Sequence, residues 1–172
     1  AFNPPALPAD WQSYDIATGD QYEYPYVANI GGNPAIAYQR KDSGWNEQWY
    51  AYAPNDFPLV TDWTAVKVDD SMKNSGINGS LVDVGGLPVL AYQNIDDDQF
   101  NEFLVVARSS SAAPTAGNWT KVTILDEYQT DFGQGLSMCV VNDRPFISSH
   151  YTYGTGFGRL LASYPTVDAP TS

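Results

Sequence analysis

The stretch "IGGNPAIAYQ", Ile30 to Gln39, returns as "VGGLPVLAYQ", Val84 to Gln93, and again, altered, as "VNDRPFISSH", Val141 to His150. A second mark keeps step with it. "DWQSYDI", "DWTAVKV" and "NWTKVTI" set Trp11, Trp63 and Trp119 apart by roughly the same interval that separates Pro34, Pro88 and Pro145. Two independent marks do not stay in phase by chance, so the chain is an internal repeat, and a repeat must be one structural unit used several times.

Each copy holds four short runs of strand type, rich in β-branched and aromatic residues and bounded by Gly, Pro, Asn and Asp. In the second copy they are "SLVDV", "PVLAYQ", "FLVVAR" and "WTKVTIL". Gly85 and Gly86 supply the positive φ that a tight hairpin demands, and Pro88 starts its strand, where a missing N–H costs little. No segment carries a sustained helical period. The reading is all-β, in units of four antiparallel strands. In the third copy Asn142-Asp143 replaces Gly-Gly and Ser149 stands where Tyr38 and Tyr92 stand, which points to a looser hairpin or one adapted to a contact.

The order W-x-x-V-x-V-D, then S-L-x-x-V-x-G-x-P-x-x-A-Y, then L-x-x-A-R resembles the repeats of bacterial β-propeller proteins, over Trp11 to about Tyr164. The resemblance implies four-stranded blades set radially around a channel. It leaves function open, since propellers host lectins, hydrolases, lyases and scaffolds. The expectation is one domain over 1–172 with three blades, its repeats running about 11–62, 63–118 and 119–172. The third copy lacks a fourth strand, while residues 11–16 read as a fourth strand without a blade. Three blades would each have to turn about 120° to close a ring, and six only about 60°. The expected working unit is therefore a homodimer, a six-bladed ring in which strand 11–16 completes the last blade of the partner.

Charge narrows the partners. Twenty acids against eight bases leave a net charge of −12, which disfavours nucleic acid and anionic membranes. No apolar run reaches membrane-spanning length, so no membrane insertion is expected. Cys139 is alone, which excludes an internal disulfide, and its mid-strand position reads as a small core residue. Low lysine with abundant Ser, Thr, Asn, Gly and Tyr suits a secreted or cell-surface protein.

In a propeller the second-to-third and fourth-to-first connections share one face. Here that face collects most of the acids, from Asp20 and Glu23 through Asp42, Glu47, Asp69, Asp70, Asp96, Asp97, Asp98 and Glu102 to Asp126, Glu127 and Asp131. Only Arg40, Lys41 and Lys73 oppose them. Acidic loops of this kind keep proteins soluble, or they bind something. Trp45, Phe100 and Phe157 hold one register across the copies, where they either stack on sugar rings or pack between units. Asp42, Glu47 and Asp98 would accept sugar hydroxyls beside them. Asp96, Asp97 and Asp98 could offer oxygens to calcium as a cofactor, although the run lacks the glycine and spacing of an EF-hand loop.

Catalytic constellations are thin. His150 is the only histidine and no Gly-x-Ser-x-Gly elbow accompanies it. The expected function is a non-catalytic, lectin-like binding or interaction module with carbohydrate as ligand. The alternatives are a carbohydrate-active enzyme, either glycoside hydrolase or lyase, working through face carboxylates, and a purely structural assembly module.

Overall fold

The structure, a computed structural model, describes residues 12–42, 44–72, 74–96, 101–128, 130–153 and 157–166. Its strands come in three runs, one per copy of the repeat. The first is β1 (Gln21–Ile30), β2 (Asn33–Asp42), β3 (Trp45–Tyr52) and β4 (Thr64–Asp69). The second is β5 (Asn74–Val84), β6 (Leu87–Asp96), β7 (Asn101–Ser109) and β8 (Trp119–Tyr128). The third is β9 (Thr130–Val141), β10 (Arg144–Tyr153) and β11 (Phe157–Ser163). Within each run, consecutive strands pair antiparallel. A single parallel bridge, Asn46 to Asn74, ties the first run to the second, and the third is a separate sheet. The all-β reading holds. The sheets neither close nor curl, so the described residues form no propeller ring.

The repeated phrase is a two-residue hairpin each time. Gly31 and Gly32, Gly85 and Gly86, and Asn142 and Asp143 all have positive φ, from 50° to 94°. That is the turn whose twist suits two antiparallel strands. Asn and Asp enter the left-handed region more readily than other non-glycine residues, so the third hairpin keeps the geometry and is no looser in its backbone. Within the single chain the described N-terminal residues form no strand. Trp11 lies outside the described residues, and Gln12 to Asp15 have no strand conformation. Tyr14 instead donates its hydroxyl to the Pro58 carbonyl at 2.6 Å and accepts from Trp63 Nε1 at 3.2 Å, which holds this segment on its own first run.

Strand alternation gives every run two faces. The alanine face carries Ala35, Ala37 and Gln39 in the first run, Val89, Ala91 and Gln93 in the second, and Phe146, Ser148 and His150 in the third. The tyrosine face carries Ile36 and Tyr38, then Leu90 and Tyr92, then Ile147 and Ser149. The main core is the first joint, where the alanine face of the first run meets the tyrosine face of the second. Ile30, Ala35, Ala37, Tyr50 and Val68 pack there with Leu81, Leu90, Tyr92, Val105 and Ala107. Burying a Leu or Val in such a joint stabilises by about 1.5–3 kcal/mol. Trp119 stands edge-on to Tyr50 at 5.3 Å, so this tryptophan is structural, as its position before an outer strand suggests.

Backbones approach closely here, which explains Gly79. A Cβ at that position would lie 2.8 Å from a ring carbon of Tyr26, whose hydroxyl accepts from the Gly79 amide. The second joint sets β9 along β5, β6 and β7, with the Met138 amide donating to Ser80 Oγ at 3.1 Å. The alanine face of the third run meets nothing among the described residues. Cys139 lies there across from Phe146 and is exposed, not a core residue, because no further unit covers it.

Candidate functional site

The end of the β2–β3 hairpin is where the sequence candidates begin to meet. Asp42 closes β2, Gly44 turns the chain with φ 89°, and Trp45 opens β3 directly opposite Asp42. Trp45 is 45% exposed. Its ring therefore packs against no other run within the single chain, and it stands on the same face of the first run as Tyr38. Asn46, next in line, donates to Asn74 Oδ1 at 2.7 Å across the bridge to β5.

Behind the tip stands a second aromatic that is held rather than free. The Arg40 guanidinium lies 4.7 Å from the centroid of the Trp49 ring, a cation–π geometry. It also pairs with Asp20 at 2.9 Å and Asp42 at 3.9 Å. Trp49 Nε1 donates to Glu47 Oε2 at 2.8 Å, and Lys67 Nζ donates to Glu47 Oε1 at 3.1 Å. Lys67 reaches Asp70 as well, at 2.8 Å, and hydrogen bonds to Asp70 and then Glu47 hold its ammonium above the ordinary lysine range. Glu47 is buried with both oxygens engaged. It braces Trp49 and Lys67, so among the candidates its carboxylate is the one already held by the protein itself.

Other candidates separate. Phe157 opens β11 opposite Tyr153, the backbone position that Trp45 holds in β3. Asp96 closes β6 opposite Asn101. Phe100, Asp97 and Asp98 lie outside the described residues, and among the described residues no three or more metal-ligating side chains converge.

Charge on this end is less one-sided than the loops alone suggest. Lys67 and Lys121, both on strands, turn into it and pair with Glu47, Asp70 and Asp69. Asp69 is the residue that reasoning from loops misses. Its side chain is buried between the first and second runs, where Oδ2 accepts from Tyr92 Oη and Asn94 Nδ2, each at 2.9 Å. Oδ1 takes Lys121 and the Ser71 amide. Burial alone would raise this carboxyl, but hydrogen bonds from Lys121 and Asn94, the Lys121 charge and the Ser71 amide outweigh it and hold Asp69 below the usual carboxylate range. Nothing local distinguishes Asp69 from Asp70 in "VKVDD"; only the arrival of β6 and β8 does.

The site thus offers an exposed indole at a hairpin tip, a carboxylate directly opposite it, and a braced charged network behind. A flat aromatic beside acceptors can stack on a sugar ring and take its hydroxyl protons. In comparison with known proteins, no protein family, no curated protein and no solved structure matches this chain.

Proposed function

We propose that the chain is a non-catalytic binding module of the β-propeller kind, in which each run of strands is a blade and two chains together form a six-bladed ring. Carbohydrate is the ligand class, bound at the end where Trp45 stands. The exposed indole of Trp45, set across from Asp42, carries the ligand reading. An indole left half in water at a strand start stabilises little, whereas stacking on the apolar face of a pyranose would cover it. Support for the blade reading is the repeated antiparallel meander and the face-on-face joints between successive runs.

The test is a glycan array followed by titration of the strongest sugar against the full chain and Trp45→Ala. The expected result is lost binding with a stability change under about 0.5 kcal/mol, because the ring is not core. A loss of about 3–5 kcal/mol, typical of truncating a buried aromatic, would place the indole in the core and refute the site. An array without a hit would refute carbohydrate as the ligand.

A further inference from the structure

Both joints inside the chain follow one rule: the alanine face of one run covers the tyrosine face of the next. Three runs leave one face of each kind over, the tyrosine face of the first and the alanine face of the third. We infer that these two faces are halves of a single docking surface, and that the third run of one chain seats on the first run of a second copy. The inference rests on the assembly reading above and assigns that assembly its surface.

Matching positions show what is missing. On the alanine face, Leu104 of β7 lies across from Gln93 and is 0% exposed; its counterpart Leu160 of β11 lies across from His150 and is 84% exposed. On the tyrosine face, Leu81 of β5 lies across from Leu90 and is 6% exposed; its counterpart Val27 of β1 lies across from Ile36 and is 75% exposed. Each pair shares its place in the repeat and its apolar chemistry, yet the burial is opposite. The difference is whether a neighbouring run is present.

Leu160 faces His150 across the strands, and beyond Ser148 the third alanine face carries an apolar patch. Phe146 stacks on Tyr164 with ring centroids 5.6 Å apart and planes 5° from parallel, and Cys139 and Val141 continue the patch along β9. Around Val27 the first tyrosine face carries an apolar cleft lined by Ile16, Ala17, Tyr22, Pro25, Ile36 and Tyr38. Contiguous exposed apolar surface of this kind marks an interaction site. A second copy is the occupant because the chain already makes this joint twice from the same repeat. The contact is head-to-tail, and a two-fold pair closes it, leaving no spare face for a filament.

The experiment is sedimentation velocity on the full chain with Val27→Asp and Leu160→Asp. Both side chains are exposed in the single chain, so neither change touches a core; melting curves check this, and Val27→Gln and Leu160→Gln replace any Asp variant that unfolds. The wild type is expected at twice 18.8 kDa, and each variant alone at 18.8 kDa. Mixing the two variants should recover the doubled mass, since one intact joint forms between them. If Val27→Asp keeps the doubled mass, or if the mixture stays single, the head-to-tail surface is wrong while self-association stands. A wild type at 18.8 kDa overturns both.

Discussion

The two internal joints use one geometry and different chemistry. In the first, the second run presents Tyr92 to Asp69 of the first run, and the hydroxyl is spent on a buried carboxylate that Asn94 and Lys121 also hold. In the second, the third run presents Ser149 at the tyrosine's place, and the position of Asp69 is taken by Leu125, across from Leu104 as Asp69 is from Gln48. Both partners have changed together. A tyrosine at position 149 would meet leucine where Tyr92 meets a carboxylate. The altered third phrase therefore records the loss of the ionic lock, not decay of the fold. Ser149 Oγ is buried and has no partner among the described residues.

Breaking the lock should give the largest effect. Asp69→Ala strands Tyr92 and Asn94 in the core and is expected to cost about 3 kcal/mol in urea unfolding. The lock is also acid-sensitive. Asp69 has a depressed carboxyl in the folded chain, so its contribution is complete above the ordinary carboxylate pKa and is lost as pH falls through the lower folded value. Asp69→Asn should flatten that part of the acid unfolding profile, and an unchanged profile would mean the carboxylate contributes nothing.

The hairpins and strands are legible in the sequence because their signals are local: Gly-Gly ahead of x-Pro, and runs rich in β-branched and aromatic residues bounded by turn residues. The lock is not, because Asp69 acquires its meaning only when β6 and β8 come to rest against β4. Cys139 reads as a core residue for the same reason, since a strand position tells which face a side chain takes but not whether a neighbour covers it. Counting charges by loop overlooked Lys67 and Lys121, whose long stems carry ammonium groups from mid-strand into the acidic end. Trp45 stays open between stacking and packing in the sequence for the same reason, and only the structure shows its ring 45% exposed in the single chain.

Smaller effects sharpen the contrast between the joints. Tyr92→Phe removes one hydrogen bond to an ionised carboxylate and should destabilise by about 1.5–3 kcal/mol. Ser149→Ala, at the matching position, removes a buried hydroxyl that no described residue satisfies. It should leave stability unchanged or raise it by up to about 1 kcal/mol, measured by the same unfolding curves. Equal losses at the two positions would contradict the distinction drawn between the joints.

A double-mutant cycle through Asp69→Ala and Tyr92→Phe tests the face-on-face joint most directly. The two residues stand on β4 and β6, in different copies of the repeat, and meet only if the first run packs on the second. The account predicts a coupling of at least about 1 kcal/mol, because removing the Tyr92 hydroxyl costs no hydrogen bond once the carboxylate that receives it is gone. Additivity within about 0.5 kcal/mol, the behaviour of residues that do not touch, would contradict it.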